Sequence, residues 1–163
     1  MMSDGENLNA LEAIGRRNIA LNGLAENKEI SVFKSANLWL KKYFSGGNPP
    51  ISNVPIKPLE GTPFQKIVWK ILLKIPYGST ATYGEIASEV ARRLGKSKMS
   101  AQAVGQAAGQ NPISIIIPCH RVIGANGNLT GYNGGIDVKI KLLEIEGIDT
   151  SRMSHPAKNG RRK

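Results

Sequence analysis

Cysteine is nearly absent from this chain: its 163 residues contain one, Cys119. A single thiol excludes an intramolecular disulfide framework and any zinc site built from several cysteines. Acidic residues are also scarce, with 12 Asp and Glu against 22 Lys and Arg, a formal net charge of +10. That excess suits polyanionic partners, nucleic acid above all, and suits a generally basic surface equally well. No apolar run approaches the roughly 18 residues of a membrane span, so no membrane partner is expected. The opening MMSDGENLNA has no basic segment followed by an apolar one, so no signal peptide is read. The expected location is therefore the cytoplasm, where a thiol stays reduced. The chain does have a globular balance, 40% hydrophobic and 21% charged residues, in a length that fits one ordinary domain or two small ones.

Patterning is weak over the first thirty residues. LNALEAI (8–14) reads as a short strand or helix, and GRRNIALNGLAENKE as a polar loop. From Ser31, SVFKSANLWLKKYF places Val32, Phe33, Ala36, Trp39, Leu40, Tyr43 and Phe44 at helical spacing, and GGNPP stops it. Residues 45–61 hold four prolines and three glycines, which predicts a linker with no long element. Thr62 and Gln65 form a capping box with Pro63 at the first helical position, and Phe64, Ile67, Val68, Ile71, Leu72 and Ile75 follow as an apolar stripe. Thr82 and Glu85 open a second capped helix, with Gly95 as its stop. A third helix, SAQAVGQAAGQ, begins near Ser100 and is built almost wholly from small residues. Small side chains serve tight packing on a neighbouring helix, or close approach to a DNA groove. Two helices joined by the basic turn GKSKMS have the form of a helix-turn-helix, and generic helical packing is the alternative.

Asn111-Pro112 ends the third helix, and ISIII (113–117) is expected to be a short buried strand by its β-branched content. GANGNLTGYNGG (124–135), with five glycines and three asparagines, is a loop. IDVKIKLLEIEG is a final amphipathic helix stopped at Gly147. The tail from Ser151, with five basic residues and no acid, is expected to be disordered. The division that follows is 1–58 for a reduced N-terminal domain with its linker, 59–150 for a second domain, and 151–163 for the tail.

Cys119 and His120 are the obvious chemical pair. A nucleophilic thiol needs a positive or hydrogen-bonding neighbour to lower its pKa. In a regular strand, however, adjacent side chains point to opposite faces. Cooperation therefore requires a sharp turn after Pro118, or a bridging water. By spacing alone, such a pair is more often coincidence than catalysis, and Cys119 is equally a small buried residue.

Pro118-Cys119-His120-Arg121-Val122 resembles the active-site signature of the O6-alkylguanine-DNA alkyltransferases, or methylated-DNA–protein-cysteine methyltransferases. The resemblance runs from GTPFQKIVWKILLKIPYGSTATYGEIA through AVGQAAGQNPISIIIPCHRVIGANGNLTGYNGG to LLEIEG, nearly all of residues 61–147. It implies an α+β fold: a short, incomplete N-terminal α/β domain before a helical, winged helix-turn-helix-like C-terminal domain. It also implies repair of double-stranded DNA by a monomer. An alkylated guanine would be flipped from the duplex and its alkyl group moved to Cys119, once per molecule and without a cofactor. O4-alkylthymine is a second candidate substrate.

The same resemblance distributes the roles. His120 would take the thiol proton through a water, Glu146 would polarise His120, and Asn111 would bond across the turn. Tyr83 would help rotate the nucleotide, with Thr82 beside it at the DNA. Tyr132 and Asn133 would close the guanine pocket, backbone groups of Cys119 and Val122 would read the base, and Arg121 would brace the turn. Two departures stand out. On the recognition helix, next to Ala103, Gln102 replaces the arginine that usually fills the vacated base stack. The opening strands of the usual N-terminal sheet also look absent, and the zinc site of some relatives is excluded because their extra cysteines are missing. The competing functions are a non-catalytic lesion-binding module, which in the alkyltransferase-like proteins lacks the nucleophile, and a helix-turn-helix regulator without chemistry.

Overall fold

Side-chain caps set the starts of three of the five helices among the described residues. The computed structural model describes residues 1–12 and 30–154. The expectations for residues 13–29 and for the tail beyond residue 154 lie outside the described residues. Helix α1 (Ser31–Phe44) turns Val32, Ala36, Trp39 and Tyr43 inward. Helix α2 (Pro63–Leu72) begins at Thr62, whose side chain accepts from the Gln65 N–H while the Gln65 side chain accepts from the Thr62 N–H. The same reciprocal box, Thr82 with Glu85, starts α3 (Tyr83–Arg93). Ser100 caps α4 (Ala101–Gly109), and α5 (Ile136–Ile145) completes the helices. Each such cap stabilises its helix by about 1 kcal/mol.

Helices α2, α3 and α4 pack on one another, with α3 and α4 as the expected helix-turn-helix pair. Val104, Ala107 and Ala108 face inward from α4, while Gln102 and Gln106 face solvent. The indole of Trp69 donates to the Ala107 carbonyl at 2.9 Å, a contact that the small residues of α4 permit. A single core joins α1 to this bundle, because Val32, Trp39 and Tyr43 share it with Val68, Leu72, Ile116 and Leu142. No helix among the described residues is long and apolar enough to cross a membrane.

The strands are short. Strand β1 (Met2–Ser3) pairs antiparallel with β2 (Leu8–Ala10) in a two-stranded sheet, so the segment read as a short strand or helix from Leu8 begins as a strand. Strands of two and three residues leave too little alternation to read. The segment 45–61 contains one 3-10 turn, Ile51–Asn53, but it is tied down along its length. The Leu8 N–H donates to the Pro55 carbonyl, the Lys57 N–H to the Leu8 carbonyl, and the Trp39 indole to the Pro50 carbonyl. Strands β3 (Ala81–Thr82) and β4 (Val122–Ile123) pair in parallel, with Ala81 opposite Val122 and Thr82 opposite Ile123. That pairing sets the start of α3 beside the exit from the cysteine turn. The whole is an α+β fold, as the resemblance implied.

Residues 113–117 do not form the expected strand. Ser114 and Ile117 bridge to each other, Ile113 bridges to Leu11, and Ile115 takes a left-handed conformation, φ 73°. A β-branched residue in that region is uncommon and strained. Pro112 and Pro118 bracket the segment, and the Asn111 side chain takes the Ile113 N–H and the Ile117 carbonyl that a neighbouring strand would otherwise pair. The isoleucines record burial, not a sheet.

Candidate active site

Cys119 sits in a 3-10 turn, Cys119–Arg121, entered from Pro118. This is the sharp turn that cooperation with His120 requires, so the opposite-face objection for a strand does not apply. Asn111, 4% exposed, spans the turn: its Nδ2 donates to the Ile117 carbonyl at 2.8 Å and to Cys119 Sγ at 3.2 Å, while its Oδ1 accepts from the Ile113 N–H at 2.9 Å. One side chain therefore shapes the turn and aims a donor at the sulfur.

Behind the turn lies a fully buried network centred on Glu146, the residue just past α5. Its Oε1 is 2.6 Å from His120 Nε2, and Arg121 donates through Nε and Nη2 to the carboxylate at 2.8–3.1 Å. The Gly78 N–H donates to Oε2 at 3.1 Å, and the Tyr43 hydroxyl donates to Oε1 at 2.7 Å. Arg121 also donates through Nη1 to the Ile75 carbonyl at 2.7 Å, which ties the turn to the segment just after α2. Burial pushes the Glu146 pKa upward, but the bonds from His120, Arg121 and Tyr43 outweigh it and hold the carboxyl at about 2. An ionised carboxylate only accepts, so the facing Nε2 must carry the ring proton. The bare lone pair then lies on Nδ1, which is buried and has no hydrogen-bond partner among the described residues.

Burial also decides the resting charges. It pushes the Cys119 thiol up, although Asn111, the Lys139 charge and nearby backbone N–H groups pull the other way. It pushes His120 down, against the pull of Glu146. The resting pair is thus a neutral thiol beside a neutral imidazole whose basic nitrogen, buried and without a partner among the described residues, can receive a proton. Such a thiol becomes nucleophilic only when a base removes its proton.

The loop before α5 closes the other side. Tyr83, the first residue of α3, donates its hydroxyl to the carbonyls of Thr130 and Gly131, each at 3.2 Å. A Cβ at Gly131 would stand 2.6 Å from that oxygen, and φ there is +70°, so the position requires glycine. Tyr132 is half-buried and Asn133 exposed in the same loop. Cys119, His120, Asn111, Arg121, Val122, Glu146 and Tyr83 are thus brought together around one turn. Gln102 lies apart, exposed on α4, next to the half-buried Ala103, whose N–H is taken by the Ser100 cap, and the Thr82 hydroxyl is engaged with Glu85.

Two residues of this centre are invisible to motif reading. Lys139 is fully buried on α5, and its Nζ donates to the carbonyls of Val122 at 2.5 Å and Thr130 at 2.8 Å. The available signal was its spacing, because Lys139, Leu142, Leu143 and Glu146 fall on one helical face. Tyr43 sits on the buried stripe of α1, and its signal was a hydroxyl that must find a partner once buried. No group of three or more His, Cys, Asp or Glu that could hold a metal ion occurs among the described residues.

Lys139 gives a first prediction. Burial lowers its pKa from 10.5 to about 8. Between about pH 8 and pH 10 the unfolded chain then binds the extra proton, so this group makes stability rise with pH, by about 3 kcal/mol in full. Denaturant unfolding of the wild type and Lys139→Met should show that rise in their difference. A difference that stays flat with pH contradicts a lowered pKa at the buried Lys139.

Residues 63–148 match the family described as 6-O-methylguanine DNA methyltransferase, DNA binding domain. The chain is 39% identical over 148 residues to a methylated-DNA–protein-cysteine methyltransferase of Haemophilus influenzae, covering 91% of this chain and 79% of that relative. A crystal structure of Mycobacterium tuberculosis OGT in complex with DNA superposes with a TM-score of 0.63 at 49% identity, over 75% of this chain and 70% of that one. The O6-methylguanine DNA methyltransferase of Methanococcus jannaschii gives a TM-score of 0.65 at 31% identity, over 100% of this chain and 92% of that one.

Proposed function

Because this chain belongs to the methylated-DNA–protein-cysteine methyltransferase family, we propose that it repairs O6-alkylguanine in duplex DNA by moving the alkyl group to Cys119. The observation that carries this reading is the Asn111–Cys119–His120–Glu146 turn, which combines a neutral thiol, a bare imidazole nitrogen and a fixed carboxylate. The thiol proton passes to His120 Nδ1 through a water, and Glu146 stabilises the imidazolium that forms. The Cys119 sulfur attacks the alkyl carbon in line, an S–C bond forms as the C–O6 bond breaks, and the electron pair returns to guanine. The base recovers one proton, so thiol plus alkylguanine become thioether plus guanine. No step restores the thiol, and each molecule reacts once.

The base must leave the duplex to reach this turn. Tyr83 lies at the start of the helix-turn-helix and touches the loop that holds Tyr132 and Asn133, a position from which it rotates the nucleotide into the pocket. Gln102 projects from the exposed face of α4 and fills the space left in the stack. Gln102→Ala should then slow single-turnover repair of duplex DNA by about tenfold, while leaving reaction with a free alkylated base unchanged. Equal slowing of both substrates, or of neither, removes that role. The direct test of the reading itself is the intact mass of the protein after incubation with O6-methylguanine DNA. It should rise by one methyl group in the wild type and not at all in Cys119→Ser. Binding of the damaged DNA without mass gain would instead make the chain a lesion-binding module.

A further inference from the structure

The relay proposed above is completed from outside the helix-turn-helix domain. Tyr43 belongs to α1, is fully buried, and reaches 77 residues along the chain to His120 and 103 to Glu146. Its hydroxyl donates to Glu146 Oε1 at 2.7 Å and stands 3.1 Å from His120 Nε2. The ring is held on three sides, stacked on Trp39 with centroids 5.4 Å apart and edge-on to Tyr77 and His120 at 6.2 Å each. A tyrosine so enclosed has little rotational freedom, so the hydroxyl position is set by packing.

We propose that Tyr43 is a positioning residue of the His120 base: its hydroxyl shares Oε1 of Glu146 with the imidazole, fixes the ring as the Nε2–H tautomer, and limits its basicity. The proton on Tyr43 is committed to Glu146, so the hydroxyl turns lone pairs toward His120 Nε2. That nitrogen then faces two acceptors, Glu146 Oε1 and Tyr43 Oη, and must donate. The same hydroxyl draws negative charge from Oε1, the atom that stabilises the imidazolium. His120 therefore remains a weaker base than Glu146 alone would make it, and the thiol stays protonated until substrate arrives.

Other charges face the network. Arg121 is paired with the carboxylate, Lys139 on α5 opposes protonation of His120, and Tyr77, from the turn after α2, lies edge-on to Tyr43 with Arg121 5.8 Å from its ring centroid. None of these touches both Glu146 Oε1 and His120 Nε2, whereas Tyr43 does. Its own hydroxyl is pushed far above the ordinary tyrosine range, first by burial and then by Glu146, so it remains a donor throughout the working range.

The test is Tyr43→Phe, which removes one oxygen and leaves the ring packing. The His120 titration, followed by NMR in the free protein, should move up by about half to one pH unit. The acid limb of the single-turnover rate at saturating DNA should move with it, and the plateau should rise about three- to tenfold. Trp39→Phe, which perturbs the same packing but keeps the hydroxyl, should lower thermal stability and leave both titrations in place. A Tyr43→Phe protein with an unmoved or lowered His120 titration overturns the proposal. Should that variant not fold, the unaltered protein still decides. Tyr43 should then show a slowly exchanging, downfield hydroxyl proton close to the Nε2 proton of His120, and an Nδ1–H tautomer overturns the proposal. The inference rests on the transfer reading, but the two fail separately. A shifted titration without methyl transfer removes the function alone, and transfer with an unmoved titration removes the Tyr43 role alone.

Discussion

Glu146→Gln should lower the single-turnover rate of methyl transfer at neutral pH by about two to four orders of magnitude, the range expected when a positioned acid–base group is disabled. The glutamine amide offers no charge to an imidazolium, and its NH2 end can donate to His120 Nε2, which would reverse the tautomer and turn the base away from the thiol. The same change leaves the buried Arg121 guanidinium without its counter-charge. Arg121 is 5% exposed and its Nε lies 2.8 Å from Oε2, so breaking the pair should also destabilise the fold, by about 3–5 kcal/mol. Rate and stability must therefore be measured together, below the temperature at which the variant unfolds. A folded Glu146→Gln protein that repairs at the wild-type rate would remove Glu146 from the mechanism. The wild-type rate should itself fall on acidification, as His120 gains its proton. Because burial lowers the His120 pKa, that fall begins below the ordinary histidine value of about 6.5.

The second large effect belongs to Asn111. In Asn111→Ala, the Ile113 N–H and the Ile117 carbonyl both lose their buried partner, at about 1–3 kcal/mol each. The sulfur also loses its one side-chain donor among the described residues, 3.2 Å away. A hydrogen bond to a charged acceptor is worth about 1.5–3 kcal/mol, so thiolate formation should be about ten- to a hundredfold less favourable. The checks are thermal denaturation and the rate of Cys119 reaction with a small thiol reagent as pH is raised. An unchanged thiol titration in the variant would confine Asn111 to holding the turn.

Much of this site is legible in the sequence, and the parts that are not have a common cause. The two capping boxes, Thr62 with Gln65 and Thr82 with Glu85, are local chemistry, and both form as spacing predicts. The signature around Cys119 marks the turn, where Asn111 bonds Cys119 and His120 bonds Glu146. The segment 113–117 misled because β-branched residues report burial as readily as strand, and here two prolines and one asparagine side chain impose a turn instead. Strands β1 and β2 are too short for any period to show. Tyr43 and Lys139 were missed for another reason. Each lies on an ordinary apolar stripe, and only the tertiary fold reveals that a hydroxyl from α1 meets a carboxylate 103 residues later, or that an amine meets two carbonyls.

The measurement that bears most directly on the account is site-resolved mass spectrometry of the protein after exposure to excess O6-methylguanine duplex DNA. One methyl group per molecule is expected, carried as a thioether on Cys119, with no further methyl transferred on longer incubation. A methyl group on any other residue, more than one lesion repaired per molecule, or repaired DNA with an unmodified Cys119 would contradict it.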